Sequence, residues 1–246
     1  MRIVFFGASH GVPEAGRRCS CAYIDINGNR YFIDMGMNAA EELADRNIPI
    51  ESIKSILVTH VHGDHTNGLL PFIDICSWKY KAANPLFYLP YDAESFKESV
   101  LGWFSYNGTK LRDFEFITFE EGEIYNDGVL KVTAFKTMHT KNTPSYAFLL
   151  EAEGKRVLFS GDLSTNGPQE DFPVSVLEKP LDLVVLEAAH FAATSYLPIF
   201  EGKSQNIKNI CFNHCNNRFI PSAYEVKNTL TDINTVIAFD GTEFEF

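Results

Sequence analysis

The chain has 246 residues, with 21 Lys plus Arg against 32 Asp plus Glu and a formal net charge of −11. At 45% hydrophobic and 22% charged it has the composition of an ordinary globular protein, long enough to bury a sizeable core as one large domain or two small ones. The acidic balance argues against an electrostatic grip on long nucleic acid, which needs a basic face, and leaves a small phosphate substrate open.

No apolar run approaches the roughly 20 residues needed to span a bilayer. The opening Met1-Arg2-Ile3-Val4-Phe5-Phe6-Gly7 reads as a first strand rather than a signal peptide. The five cysteines are an odd number and sparse, which favours a reducing compartment, and a cytoplasmic protein is expected.

Strands are expected over residues 2–6, 22–26 and 31–34, the last two joined by Asn27-Gly28-Asn29, a hairpin signal. Residues 38–46 have helical spacing. A buried strand over 55–58 leads to a helix over 66–81, with Pro71 near its first turn, where proline is tolerated. A strand over 86–89 and a helix over 93–104 follow. The chain then reads mostly as strand, over 114–119, 123–125, 129–136, 146–152 and 155–159, with turns at Asn126-Asp127-Gly128 and Glu153-Gly154. Later strands fall at 183–186, 209–212 and 235–238, and Pro221 opens a helix over 221–230. Strands followed by helices, twice over, suggest an α/β sandwich with helices outside. Residues 1–246 are expected to form a single domain, because candidate site residues come from both halves.

The informative segment is Thr59-His60-Val61-His62-Gly63-Asp64-His65-Thr66-Asn67-Gly68-Leu69, directly after the buried strand at 55–58. Three of only seven histidines sit here, with an aspartate. Imidazole and carboxylate suit zinc, manganese or iron. Adjacent side chains such as Asp64 and His65 are expected to diverge, so the ligands are better divided between two ions. The remaining ligands should follow strands, where loops collect at one sheet edge. His139, Asp162 and His214 each do so. With the loop they complete two three-ligand sets and a bridge.

This pattern resembles the metallo-β-lactamase superfamily of binuclear hydrolases. The resemblance implies a four-layer αββα sandwich with metals at one edge. It implies one divalent ion on His60, His62 and His139, a second on Asp64, His65 and His214, and Asp162 bridging. Zinc is the first expectation; manganese, iron and nickel are accepted by the same donors. Two ions about 3.5–4 Å apart lower the pKa of a bridging water, and the hydroxide so formed attacks while the ions stabilise the developing oxyanion. Asp64 would orient that water as well as bind metal.

Within the superfamily the ribonuclease Z-like phosphodiesterase branch fits best. The second histidine is His62, where flavin-linked di-iron members carry glutamate, and Asp162 stands where several antibiotic-hydrolysing members carry cysteine. The glycine-rich opening Phe6-Gly7-Ala8-Ser9-His10-Gly11-Val12-Pro13, followed by Arg17-Arg18-Cys19-Ser20, matches the branch, as do Gly68-Leu69 and Asn217-Arg218-Phe219 after His214. Glu187 matches the glutamate that partners a catalytic histidine in ribonuclease Z. The histidine itself is absent from its usual place; His190, close by, is expected as the substitute, able to protonate a leaving oxygen or bind phosphate, the alternative being a helix-start residue near the mouth. No segment corresponds to the long basic arm that holds transfer RNA.

The expected function is hydrolysis of a small phosphodiester, such as a cyclic or terminal nucleotide ester. The alternatives are hydrolysis of carboxylic or thiol esters, lactones or β-lactams on the same metals, or a metal-binding module without turnover. A small-molecule substrate is expected, with no long nucleic acid and no membrane; the oligomeric state is open, a homodimer being common in families of this kind. His10 is expected to contact substrate or to be a hydrogen-bonded loop histidine. Cys19, Cys21, Cys211 and Cys215 read as neutral thiols rather than a zinc site. Trp78, Tyr80, Trp103, Phe104 and Tyr106 read as core aromatics, and Arg218 as a phosphate clamp or a surface ion pair.

Overall fold

The computed structural model describes residues 1–12 and 14–246; Pro13 of the glycine-rich opening lies outside the described residues. The first half carries β1 (Arg2–Gly7), β2 (Cys21–Ile26), β3 (Asn29–Ile33), β4 (Ile53–Leu57), β5 (Leu86–Leu89) and β6 (Phe116–Thr118). The second carries β7 (Gly122–Asn126), β8 (Lys131–Thr137), β9 (Ser145–Ala152), β10 (Lys155–Phe159), β11 (Leu183–Ala188), β12 (Asn209–Cys215), β13 (Asn234–Ile237) and β14 (Glu243–Glu245). Among the described residues these form two seven-stranded sheets, ordered β14-β1-β2-β3-β4-β5-β6 and β13-β12-β11-β10-β9-β8-β7. Both sheets follow one plan: antiparallel neighbours first, then parallel ones from β3 to β6 and from β10 to β13.

The strands read as continuous apolar runs because both faces of each sheet are covered. Alternation divides those residues between cores. Ile3 and Phe5 of β1, with Phe148 and Leu150 of β9, fill the space between the sheets. Val4 and Phe6 face outward from the first sheet and Ala147 and Leu149 from the second. Helices α1 (Ala39–Asp45), α2 (Gly63–Thr66), α3 (Leu69–Trp78) and α4 (Ala93–Asn107) follow in the first half, and α5 (Leu197–Phe200) and α6 (Ile220–Thr229) in the second. Leu43 of α1, Phe72 of α3 and Phe104 of α4 pack on the outer face of the first sheet. Phe200 of α5 and Val226 of α6 do the same on the second. The architecture is the expected four-layer αββα sandwich. Among the described residues no helix is long and apolar enough to cross a membrane.

The helix expected over 66–81 is shorter, α3 over Leu69–Trp78, with the separate turn α2 ending at Thr66 before it. A β-carbon on Gly68 would lie 1.8 Å from the Met37 carbonyl oxygen, so backbone packs on backbone there and the helix restarts at Leu69. The strand expected over 114–119 is confined to β6; Phe114 precedes it, with its ring against Phe87 of β5. The short, charged β14 was not expected; it pairs Glu243, Phe244 and Glu245 with Val4, Ile3 and Arg2. Both two-residue hairpin turns are left-handed, with φ of 51° and 85° at Asn27 and Gly28 and of 51° and 72° at Glu153 and Gly154. That geometry matches the twist of the paired strands.

At the same end of the sandwich as these turns, Asp127 ties the sheets together. Its carboxylate accepts from the Tyr31 hydroxyl of β3 at 2.7 Å, from Lys54 of β4 at 3.3 Å and from the Leu130 amide at 2.9 Å. Burial works to raise its pKa, but those donors together hold it at about 2. A depressed carboxylate stabilises the fold above its unfolded pKa, near 4, and that contribution is lost as pH falls through about 2. Asp127→Ala is expected to cost about 1–3 kcal/mol at neutral pH. In denaturant titrations the gap from wild type should narrow between about pH 4 and pH 2.

Candidate metal centre

Every candidate side chain stands at the C-terminal end of a strand, and those ends share one edge of the sandwich. β3 ends into Asp34, β4 into Thr59 and His60, β8 into His139, β10 into Asp162, β11 into Glu187 and His190, and β12 carries His214. His62 is the N-cap of α2, and Asp64 and His65 lie within it. The expected divergence of Asp64 and His65 does not occur: His65 Nε2 is 3.6 Å from Asp64 Oδ2. Neighbours on a helical turn are not thrown to opposite faces as they are on a strand.

The seven candidate ligands converge. His62 Nδ1 lies 3.1 Å from both His60 Nε2 and His139 Nε2. His214 Nε2 is 3.7 Å from Asp64 Oδ2. Between these two groups lies the Asp162 carboxylate, 3.7 Å from His60, 3.6 Å from His139, 3.5 Å from His65 and 3.2 Å from His214. The sets His60–His62–His139 and Asp64–His65–His214 each bring their ligand atoms within 4.8 Å of one another.

The far nitrogens of the rings are fixed from behind. His65 Nδ1 donates to Asp34 Oδ2 at 2.7 Å and His139 Nδ1 to the Leu163 carbonyl at 3.1 Å. The Thr59 hydroxyl donates to Asp34, so it accepts from His60 Nδ1 at 3.2 Å. His214 Nδ1 pairs with Ser20 Oγ at 2.8 Å. These bonds place protons on the Nδ1 atoms of His60, His65 and His139 and aim their Nε2 atoms at the centre, as metal-binding histidines require.

Two buried atoms there lack any hydrogen-bond partner, His65 Nε2 and Asp162 Oδ1, and they face each other. Buried polar atoms left bare are rare unless a bound group satisfies them. Burial, with the neighbouring imidazoles, holds the His60 pKa well below the ordinary range and so favours a neutral donor. Burial opposes charge on His65 and Asp162 alike. Even so, Asp162 and Asp34 push His65 well above the ordinary range, and His214, His65 and His60 push Asp162 well below it. A field that draws a proton to this spot also draws a cation. The residues fit divalent metal.

The description "anti-Pycsar protein Apyc1" belongs to a family whose pattern matches residues 1–180. The chain belongs to that family. It is also similar to ribonuclease Z from Anoxybacillus flavithermus (strain DSM 21510 / WK1), 33% identical over 153 residues, which are 60% of this chain and 47% of the relative. The chain thus spans about half the length of the curated relatives it matches. Two solved structures share the fold. The metallo-β-lactamase fold protein YhfI from Bacillus subtilis superposes with a TM-score of 0.79 at 18% identity, covering 99% of each chain. The short form of human tRNase Z superposes with a TM-score of 0.74 at 17% identity, covering 100% of this chain and 99% of its own. The fold is that of the metallo-β-lactamase superfamily, and the sequence is similar to ribonuclease Z over 60% of the chain.

In this family member His190 Nδ1 lies 2.7 Å from Glu187 Oε2. Glu187 is buried and also accepts from the amides of Leu163, Ala189 and His190. Burial would lower the His190 pKa, but Glu187, with help from Asp162 and Asp64, raises it to about 9. His190 is a quarter exposed, in the loop after β11, and its Nδ1 lies 3.9 Å from Asp162.

Asp34 was not expected at the site. Its carboxylate takes the Thr59 amide at 2.7 Å as well as His65, and its backbone is left-handed at φ 58°. The signal was present, since Asp34 ends an apolar strand as the Asp162 loop does. Gly36, two residues on, meets the metal loop directly. A β-carbon there would lie 1.7 Å from the Asp64 carbonyl oxygen. Gly36→Ala is expected to displace Asp64 and cost about 3 kcal/mol or more, read as a drop in thermal midpoint together with lost metal affinity.

His10 has both nitrogens engaged, with Nδ1 accepting the Val12 amide at 3.3 Å and Nε2 donating to Glu14 at 3.2 Å. It is a hydrogen-bonded loop histidine. Cys21, Cys211 and Cys215 are buried, and burial raises their thiols; Cys19 is half-buried. Phe104 is core, but Trp78, Trp103 and Tyr106 are exposed, correcting the reading of all these aromatics as core. Trp78 ends α3, and Trp103 and Tyr106 lie on the side of α4 away from the buried Phe104. Arg218 forms no ion pair among the described residues and lies over the Phe219 ring at 4.9 Å.

Proposed function

We propose that the chain is a binuclear metal-dependent hydrolase of small phosphodiesters, such as a cyclic or terminal nucleotide ester. The observation that carries this reading is the Asp162 carboxylate set between two three-ligand clusters, beside a Glu187–His190 pair. His60, His62 and His139 would hold one divalent ion and Asp64, His65 and His214 the other, with Asp162 shared. Zinc is the first choice for this donor set. Such ions supply an activated water and neutralise substrate charge.

The chain's own residues do the rest. Asp64 orients the attacking water. Glu187 holds His190 charged at neutral pH, with its ring at the partly open side of the centre, where it gives a proton to the departing oxygen. The kinship to proteins named ribonuclease Z supports phosphodiester chemistry. The net charge of −11 favours a small substrate over long nucleic acid. Five free cysteines suit a reducing cytoplasm.

The test is to reconstitute the metal-free protein with zinc or manganese and assay bis-p-nitrophenyl phosphate, a nitrophenyl ester and a chromogenic β-lactam, with Asp64→Ala alongside. Turnover of the diester that vanishes in Asp64→Ala supports the reading. Turnover of only the ester or lactam overturns it.

A further inference from the structure

We propose that Asp171 positions the ligand pair His139 and Asp162; the inference rests on the binuclear reading above. One oxygen of its carboxylate, Oδ2, accepts two backbone amides, from Met138 at 2.7 Å and from Ser164 at 2.9 Å. Met138 immediately precedes His139, and Ser164 is two residues past Asp162. The two loops leave β8 and β10, which are separated in the sheet by β9. A single atom therefore ties together two loops that no strand ladder joins directly.

The bonds reach back 33 and 7 residues, so this is not a side chain capping its own turn. The Leu163 amide, next in line, goes to Glu187 Oε1 at 2.7 Å. The two amides that follow Asp162 are thus each held by a carboxylate from a different part of the chain. The loops also touch directly, through Thr137 Oγ1 on the Asp162 carbonyl at 3.1 Å and His139 Nδ1 on the Leu163 carbonyl. Asp171 fixes that contact from outside.

The arrangement carries a cost. Asp171 Oδ1 is buried without a hydrogen-bond partner, and burial raises the carboxyl's pKa. Orphaned buried acceptors destabilise and persist where the surrounding geometry demands them. Asp171 makes no hydrogen bond to a ligand side chain, so it acts through backbone placement. The Asp64–His65–His214 set rests on other supports, Asp34 and Ser20. His139 serves one set only while Asp162 is shared, so moving Asp171 should weaken the ion on His60, His62 and His139 most and the other less.

The experiment is a zinc titration against a chromophoric chelator for wild type, Asp171→Asn and Asp171→Glu, with thermal unfolding of each metal-free protein. Asn keeps an acceptor oxygen in place and loses the charge; Glu keeps the charge and moves the oxygen by a methylene. The expected result is two zinc ions in wild type, both affinities kept within about threefold in Asp171→Asn, and one affinity weakened about tenfold or more in Asp171→Glu. Wild-type binding of both ions by Asp171→Glu overturns the proposal. So does a loss in Asp171→Asn equal to that in Asp171→Glu, which would mark a charge effect. Equal weakening of both sites in step with a lower metal-free midpoint marks general destabilisation and also overturns it. Fewer than two zinc ions on wild type would instead sink the binuclear reading, and the inference with it.

Discussion

Asp162→Ala is expected to lower kcat/KM for a phosphodiester by about 10³-fold or more and to leave fewer than two ions bound. Its carboxylate lies within 4 Å of ring nitrogens from both clusters, on His60, His65, His139 and His214. Removing it does two things at once. It deletes a donor shared by both ions, and it removes the negative charge that lets four imidazoles crowd one point. Three decades in rate correspond to about 4 kcal/mol of transition-state stabilisation. His62→Ala should do less damage, since His62 belongs to one cluster only and lies outside the Asp162 contacts. Metal analysis beside kinetics on the same preparations checks this. Two tightly bound ions and near-normal turnover in Asp162→Ala would remove the bridging role.

Much of this was legible in the residues. The candidate ligands stood out because histidine is scarce in the chain and each later candidate follows an apolar run, a pattern local enough to read. The sandwich was legible for a similar reason, because strands covered on both faces are apolar throughout. What was missed depends on contacts between distant segments. Asp34 supports His65 across 31 residues, and Asp171 supports Met138 across 33. Asp34 does follow an apolar strand, but what it supports is set by the fold, and nothing in the composition around Asp171 distinguishes it from any loop acid. The break between α2 and α3 was invisible because it arises from Gly68 pressing on Met37, a packing fact rather than a propensity. The exposed Trp78, Trp103 and Tyr106 were misread because helical spacing of aromatics shows which residues share a face without showing what that face meets.

His190→Ala should lower kcat by about 10²–10⁴-fold for a diester with an alkoxide leaving group. It should change turnover of bis-p-nitrophenyl phosphate far less, because p-nitrophenolate departs without a proton. The asymmetry follows from the pair's geometry. Glu187 is fixed by three backbone amides and holds His190 Nδ1 at 2.7 Å, so the ring's other nitrogen is left to serve the substrate. The pH dependence follows from the sign of the shift. Burial alone would discharge the ring, but Glu187 raises its pKa to about 9, so the acid form dominates at neutral pH and is lost as pH rises through that value. Wild-type kcat on the alkoxide substrate should therefore fall along an alkaline limb. Bound cations oppose the charge on His190 and set that limb at or below about 9. In Glu187→Gln the limb should move to lower pH, since the charge that raises His190 is gone while the side chain still accepts a hydrogen bond. In His190→Ala it should vanish. Equal loss on both substrates with the limb intact would show that His190 merely shapes the site, and that the proton for the leaving oxygen comes from solvent.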